Sequence, residues 1–219
     1  MEANILVGGP KNLWPLDLKK QASSHATDFI WVGADQGAVE LCELGLSPDL
    51  AIGDFDSASS RDQFLVQVRA KKIISARSEK DYTDTQLAVL MVNKYFPNVE
   101  KINIYGATGG RLDHLLANVF LILGLKFKFL APKIRLIDKQ NTVSFYLPGK
   151  HRVFKEADKD YLAFIPLTKV TQLSLFNTKY RLDKADFQRP VSLASNEFME
   201  DWADFAFESG IVCVIQSSD

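Results

Sequence analysis

Cysteine, excess charge and long apolar runs are all scarce in this sequence, and each scarcity excludes a class of protein. The two cysteines, Cys42 and Cys213, form no CxxC pair in 219 residues, which excludes a disulfide-rich fold. The 26 basic and 27 acidic residues nearly cancel, so there is no electrostatic case for nucleic acid or a membrane surface as partner. We find no signal-peptide pattern and no uncharged run of membrane-spanning length, and we expect a cytoplasmic protein.

Two common nucleotide-binding signatures are also missing. No GxxxxGK[ST] sequence occurs, which excludes a Walker-type NTPase, and no GxGxxG follows the first predicted strand, which argues against a dinucleotide fold. The first 140 residues instead alternate short apolar runs with segments of helical periodicity. This alternation predicts an α/β domain with a doubly wound, mostly parallel sheet and helices on both faces. Its strands are predicted at 4–9, 28–35, 50–52, 72–75 and 101–105.

Helices are predicted at 13–24, 37–44, 59–70, 84–96 and 112–123. In the third we expect Phe64, Leu65 and Val68 on the buried side. In the fourth, the predicted apolar face consists of Leu87, Ala88, Leu90, Met91 and Tyr95.

After about Asp138 the pattern changes to short β-prone runs with no helix between them. These runs lie at 142–146, 151–154, 161–166, 171–176, 179–182 and 211–216. They predict a smaller all-β sandwich. We place the domain break between Asp138 and Lys150, which gives domains of residues 1–140 and 141–219.

Two carboxylates follow the strand that ends at Ile52. On extended backbone, side chains at alternate positions point the same way, so Asp54 and Asp56 would converge while Phe55 turns to the interior. Two facing carboxylates need a cation or a proton between them, and Mg²⁺ takes such oxygen ligands. A solvated acidic turn would explain this pair alone.

Two further polar clusters precede predicted helices. Residues 77–84 are RSEKDYTD, where Thr83 or Asp84 could cap the next helix, but capping leaves the other acidic residues unexplained. Residues 106–114 are GATGGRLDH, where glycine amides and a helix N-terminus could bind phosphate and Arg111 could clamp phosphate oxygens. Three such turns along one sheet edge point to metal-assisted phosphoryl-type transfer.

The order and spacing of four motifs resemble those of the thiamine pyrophosphokinase family. The motifs are Gly33–Ala38, Pro48–Ser57, Glu79–Asp84 and Gly106–His114. A weaker similarity, Ser195-Asn196, lies in the β-rich part. The resemblance implies transfer of the β,γ-pyrophosphoryl group of ATP to thiamine, giving AMP and thiamine diphosphate. It also implies a homodimer with active sites at the subunit interface, an ATP- and Mg²⁺-binding first domain, and a second domain for thiamine binding and dimerisation.

The resemblance further implies roles for individual residues. Asp54, Asp56, Asp81 and Asp84 would serve catalysis as the Mg²⁺ ligands, Arg111 would serve catalysis by holding the phosphates, and Asp113 would orient or deprotonate the attacking hydroxyl. The residues expected to meet ATP are Lys80, Thr83, Gly109, Gly110, Arg111 and His114. Those expected to meet thiamine are Asp35, Ser195 and Asn196, with Trp202 as either a stacking partner or a sandwich residue. Gln36 departs from the glycine usual in this family.

Two alternatives remain open at this point. The first is another Mg²⁺-dependent, nucleotide-using phosphotransferase, because spacing alone does not choose which phosphorus is attacked. The second is a sensor that binds thiamine or a nucleotide and has lost catalysis. A purely structural role would leave the clustered carboxylates unexplained.

Overall fold

The computed structural model describes residues 1–23, 29–75 and 82–219. The chain divides into two compact units. The first comprises Met1–Lys128 and Lys133–Lys139, and the second comprises Phe129–Pro132 and Gln140–Asp219. Each unit has apolar core residues of its own.

A parallel sheet organises the first unit. Its strands in the described residues are β1 (Glu2–Leu6), β2 (Phe29–Ala34), β3 (Leu50–Gly53), β4 (Ile73–Ser75), β5 (Lys101–Tyr105) and β6 (Ile134–Ile137). They follow the spatial order β6-β5-β1-β2-β3-β4, with neighbouring strands parallel. The order reverses at β1, and open α/β sheets bind ligands at the carboxyl edge beside such a reversal. The crevice between the ends of β1 and β5 is therefore the expected binding position.

Helices cover this sheet. The described ones are α1 (Leu18–Ser23), α2 (Gln36–Glu43), α3 (Ser60–Arg69), α4 (Asp84–Tyr95) and α5 (Leu112–Phe120), with 3-10 segments at Lys11–Leu13, Leu121–Leu123 and Lys128–Lys133. Helix α2 packs very closely on β2, since a Cβ on Gly33 would lie 2.2 Å from the Cα of Ala38. This approach, which only glycine permits, brings the start of α2 to the carboxyl end of β2.

Two helices bury faces that match the predicted ones only in part: Leu65 of α3 packs on the core and Leu87 and Ala88 of α4 are buried, as predicted. In α3, Phe64 and Val68 are 66% and 65% exposed, and Val66 is the buried residue, packed with residues of α2. In α4, Tyr95 is 39% exposed; the buried positions are Thr85, Leu87, Ala88, Val89 and Val92. Apolar residues stand at adjacent positions in both helices, so periodicity does not decide which side of the helix is buried, and packing does.

The second unit is an antiparallel β-sandwich. Its strands are β7 (Asn141–Tyr146), β8 (Gly149–Phe154), β9 (Tyr161–Pro166), β10 (Val170–Leu175), β11 (Leu182–Phe187), β12 (Leu193–Asn196), β13 (Trp202–Phe207) and β14 (Val212–Ser217). One layer has the order β12-β9-β14-β7 and the other β11-β10-β13-β8. Phe164 of β9 and Phe205 of β13 meet edge to face in the core, with ring centroids 5.2 Å apart. The predicted fold class, a mostly parallel α/β sheet followed by a sandwich, is confirmed.

Several strands were not predicted from the sequence. Strands β6, β12 and β13 fall outside the predicted runs, and β11 begins where the run 179–182 ends. Lys184 in β11 and Ser195 in β12 have φ values of 47° and 58°, so these strands are irregular and lack a clean alternation. Strand β13 carries Asp204, which pairs with Arg152 on the neighbouring β8. Such a cross-strand pair stabilises a charged residue within a strand, but the partner is distant in the sequence, so the charged residue by itself argues against a strand.

Within the described ranges, no helix is both long enough and apolar enough to cross a membrane.

Candidate active site

A cavity of about 530 Å³ lies at the carboxyl edge of the first unit's sheet. It occupies the predicted crevice, because its walls include the turn at 8–10 after β1 and the loop at 106–111 after β5. These two turns touch: a Cβ on Gly9 would lie 2.1 Å from the carbonyl oxygen of Gly106, whose φ is 72°. Because Gly8, Gly9, Gly106 and Gly110 line the cavity without side chains, part of its wall is main chain, which suits a phosphate-bearing ligand.

Three helices begin at the cavity. Gln36 of α2, Asp84 and Thr85 of α4, and His114 and Asn118 of α5 contribute to its lining. A helix N-terminus carries a partial positive charge and unpaired amides. The helix termini therefore favour an anion in this cavity.

Carboxylates at the same edge favour a cation. Asp35, the residue before α2, has φ 47°, and its Oδ1 is buried without a hydrogen-bond partner. Burial, followed by the adjacent carboxylate of Asp84 and the charge of Asp54, raises the pKa of Asp35 to about 7. Like charges held this close are compensated by a proton or a bound cation. Anion-favouring helix ends beside cation-favouring carboxylates suit a metal-complexed polyphosphate.

The geometry predicted for Asp54 and Asp56 is wrong. The backbone between them is not extended, because Phe55 has φ 56° and the amide of Asp56 donates to Oδ1 of Asp54 at 3.1 Å. Both carboxylates are exposed, and Phe55 packs towards the core as predicted. The charge of Asp54 nevertheless acts on Asp35, the residue after the neighbouring strand β2, and raises its pKa.

Mg²⁺ fits the chemistry of this donor set, because Asp35 offers an unpaired buried oxygen beside two further carboxylates. In the described residues, no three His, Cys, Asp or Glu side chains are already grouped to hold a metal. Of the predicted ligands, Asp81 lies outside the described residues, as do Glu79 and Lys80. We call Asp35, Asp54 and Asp84 the carboxylate cluster, because the last two act electrostatically on the first, although their oxygens are not gathered around one point.

Thr83 is the residue that caps α4. Its hydroxyl accepts from the amide of Gln86 at 3.2 Å, and the Gln86 side chain accepts from the amide of Thr83 at 3.0 Å. This reciprocal capping box satisfies two helix amides. Because Thr83 does the capping, Asp84 at the first helical position is left to line the cavity.

Arg111 and Asp113 form an exposed ion pair at the start of α5. Nε and Nη2 of Arg111 donate to the two carboxylate oxygens at 3.1 and 2.5 Å. These hydrogen bonds, chiefly, hold the pKa of Asp113 below its ordinary value. A carboxylate with a lowered pKa is a weaker base, so this geometry favours Asp113 as the residue that orients Arg111.

Of the predicted ATP-binding residues that the structure describes, four line the cavity and the fifth belongs to the loop beside it. Thr83, Gly110, Arg111 and His114 line the cavity. Gly109 belongs to the same loop, with φ 73°.

The predicted thiamine-binding residues lie in different units: Asp35 in the first, Ser195 and Asn196 in the second. Ser195 is exposed. Asn196 is 3% exposed, and its side chain is fully engaged: Oδ1 accepts from the amides of Tyr180 and Glu197, and Nδ2 donates to the carbonyl of Tyr180, all at 2.9 Å. Its observed contacts are therefore structural. Trp202 is half-buried in β13, with the guanidinium of Arg152 5.1 Å from its ring centre.

Sequence reasoning missed several cavity residues. Gly8 and Gly9 follow β1 as Gly106 follows β5, and this repeated strand-glycine pattern is a signal that could have found them. Asn118, a buried polar residue of the apolar α5, donates to the carbonyl of Ala107 at 3.0 Å. Gln36 lines the cavity, and its side chain is oriented by a 3.0 Å hydrogen bond that it donates to Oε1 of Glu40.

Two family models match the chain. The thiamin pyrophosphokinase catalytic domain matches residues 22–135, and the thiamin pyrophosphokinase vitamin B1 binding domain matches residues 150–212. Together they span most of both units.

Relatives agree with this match. The curated thiamine pyrophosphokinase of Bacillus subtilis (strain 168) is 37% identical over 219 residues, which is 99% of this chain and 98% of the relative. The crystal structure of a thiamin pyrophosphokinase family protein from Enterococcus faecalis is 43% identical, with a TM-score of 0.91 and full coverage of both chains. The crystal structure of the Bacillus subtilis thiamine pyrophosphokinase has 36% identity, a TM-score of 0.85 and full coverage of both chains. The chain therefore belongs to the thiamin pyrophosphokinase family.

Proposed function

We propose that this enzyme transfers the β,γ-pyrophosphoryl group of ATP to the hydroxyl oxygen of thiamine. The bond from the thiamine oxygen to the β phosphorus forms, the bond from that phosphorus to the α,β-bridging oxygen breaks, and AMP leaves as the hydroxyl proton is lost. The observation that carries the proposal is the cavity at the reversal of the sheet, where helix N-termini meet the carboxylates of Asp35 and Asp84, with the charge of Asp54 acting on Asp35 from beside it. That combination suits a metal-complexed polyphosphate.

The chain's own residues bind and orient the reactants. The amides of loop 106–111, with Gly109 and Gly110, bind the phosphates together with Arg111, whose planar guanidinium Asp113 holds in place. Thr83, His114 and Lys80 complete the ATP contacts. Residues 1–140 thus form the catalytic domain.

We assign Mg²⁺ to Asp54, Asp56, Asp81 and Asp84. The bound ion would neutralise phosphate charge, which the carboxylates alone would repel. Asp35 is the thiamine-facing member of the cluster, since a carboxylate favours the positively charged thiazolium ring.

Residues 141–219 form the thiamine-binding and dimerisation domain in this proposal. Ser195, which is exposed, meets thiamine directly, while Asn196 supports the same segment from inside the sandwich. The cytoplasmic location stays a prediction from the sequence.

The homodimer with active sites at the subunit interface is also part of the proposal. Leu112, Leu116 and Phe120 follow one side of α5 and are 74%, 50% and 47% exposed. An apolar stripe of this kind is typical of an interface. Light scattering on the purified protein should give twice the chain mass, and a monomer at micromolar concentration would contradict the dimer.

The reaction is tested by incubating the protein with ATP, Mg²⁺ and thiamine and separating the products by chromatography. We expect equal amounts of AMP and thiamine diphosphate, formed only with Mg²⁺. ADP with thiamine monophosphate would move the attack to the γ phosphorus. Binding of thiamine without turnover would favour the sensor alternative.

A further inference from the structure

A buried carboxylate lies behind the phosphate-binding loop and belongs to none of the four motifs. Asp138, the residue after β6, is 6% exposed, and its Oδ2 accepts a hydrogen bond from the Thr108 hydroxyl at 2.5 Å. Thr108 lines the cavity, whereas Asp138 is not among the described residues that do so. Burying a carboxylate is costly, so its place here calls for a role beyond packing.

The loop that contains Thr108 is held at several points. Nδ2 of Asn118 reaches the carbonyl of Ala107 at 3.0 Å from inside α5. A Cβ on Gly109 would lie 1.8 Å from Cδ1 of Leu13, so the loop rests directly on the 3-10 segment before α1. The hydrogen bond from Thr108 to Asp138 thus attaches the loop to the end of β6.

We propose that Asp138 is a positioning residue that fixes the phosphate-binding loop through the hydroxyl of Thr108. The inference rests on the proposed function, because it assigns this loop to the phosphates of ATP. A loop that is already held in place needs no reordering when the nucleotide binds, which is the source of tight binding by a preformed loop. Freeing Thr108 would let the loop move and would weaken ATP binding, with thiamine binding unchanged.

The test compares two threonines with the same chemistry. Thr142, in the second unit, is 2% exposed and donates to Oε2 of Glu156 at 2.7 Å. Thr108→Val and Thr142→Val therefore each remove one hydroxyl that is bonded to a carboxylate. Thr108→Ser restores the hydroxyl, and Asp138→Asn keeps the volume while removing the charge.

ATP affinity is measured by calorimetry with Mg²⁺ and without thiamine, alongside the KM for each substrate and the thermal midpoint. We expect Thr108→Val to weaken ATP binding about tenfold, as for a lost hydrogen bond to a charged group. Thr108→Ser and Thr142→Val should stay within about twofold of wild type. The KM for thiamine should not change in any of them.

The double variant Thr108→Val/Asp138→Asn decides whether Asp138 acts through Thr108. If it does, the double variant binds ATP no more weakly than Thr108→Val alone. Additive losses would overturn the proposal, and so would equal effects of Thr108→Val and Thr142→Val. Should Asp138→Asn fail to fold, the difference in ATP affinity between Thr108→Val and Thr108→Ser still tests the proposal.

A failure of the Asp138 proposal can be distinguished from a failure of the proposed reaction. Wild-type protein that binds ATP without making AMP would contradict the reaction, while the Thr108 series would still test how the loop is held. Unchanged ATP binding in Thr108→Val, with normal production of AMP, would contradict only the role of Asp138.

Discussion

The two units of this protein treat their buried polar groups differently. Among the described residues, side-chain atoms of Asn4, Trp14, Asp35 and Asn103 are buried without a hydrogen-bond partner, and all four belong to the first unit. In the second unit, Asn196 uses both ends of its side-chain amide. An unsatisfied buried group costs about 1–3 kcal/mol. Where such a group also lines a cavity, as Asp35 does, the cost is better explained by a ligand than by folding.

The largest expected effect tests the first unit. Asp54→Asn keeps the Oδ1 that accepts from the amide of Asp56, so the fold should survive. An amide is a much poorer Mg²⁺ ligand than a carboxylate, and we expect kcat to fall at least about 100-fold. Circular dichroism checks that the fold survives, and steady-state kinetics measures the loss of kcat. The matched control is Asp183→Asn on the exposed surface of β11, and equal activity in the two variants would remove Asp54 from the metal site.

In the second unit, removing a buried polar side chain should lower stability rather than kcat. Asn196→Ala leaves the amide of Tyr180 without its acceptor, so we expect a loss of about 1–3 kcal/mol in the free energy of unfolding. Urea titration measures it. Ser195→Ala removes an exposed hydroxyl and should raise the KM for thiamine with little change in stability. If Asn196→Ala raised that KM without loss of stability, the contrast between the units would fail.

The smallest effect is expected at an exposed pair. Asp204→Asn removes the charge and one of the two oxygens that accept the 2.7 Å hydrogen bonds from Arg152, but exposed ion pairs contribute little because water screens them. Those hydrogen bonds hold the pKa of Asp204 below its ordinary value. The small contribution of Asp204 is therefore present above about pH 4 and lost as the pH falls below it. Thermal midpoints at pH 3 and pH 7 check this, and a large loss at pH 7 would show that Asp204 does more than pair with Arg152.

Local patterns predicted what depends on local chemistry. The glycine turns, a cap at Thr83 or Asp84, and the carboxylate Asp35 after β2 all follow from residues close together in the sequence. The phase of α3, which leaves Phe64 exposed, depends on contacts with α2 that periodicity does not contain.

In the candidate site, too, the features that the sequence did not predict depend on residues far apart in the chain or on backbone conformation. The turn at Phe55 and the burial of Asn196 are set by backbone conformation and distant partners such as Tyr180. Asp138 was missed as a positioning residue because its partner, Thr108, lies thirty residues away.

The carboxylate cluster gives the sharpest test, through the stability of wild type and Asp35→Asn in urea at pH 5 and pH 8, with EDTA or Mg²⁺. With a folded pKa of about 7 against 3.8 in the unfolded chain, the folded protein binds the extra proton. Without metal, the contribution of Asp35 to wild-type stability should therefore fall as the pH rises from about 4 to about 7, and the difference between wild type and Asp35→Asn isolates it.

An asparagine at this position can donate to Asp84. At pH 8 in EDTA we expect Asp35→Asn to be the more stable protein by about 1 kcal/mol or more. Mg²⁺ should narrow that gap, because an ion held by Asp54 and Asp84 would offset the repulsion that these carboxylates exert on the charged Asp35 of wild type. A variant that is no more stable than wild type at pH 8, or a gap that Mg²⁺ leaves unchanged, would contradict a cluster held ready for a cation.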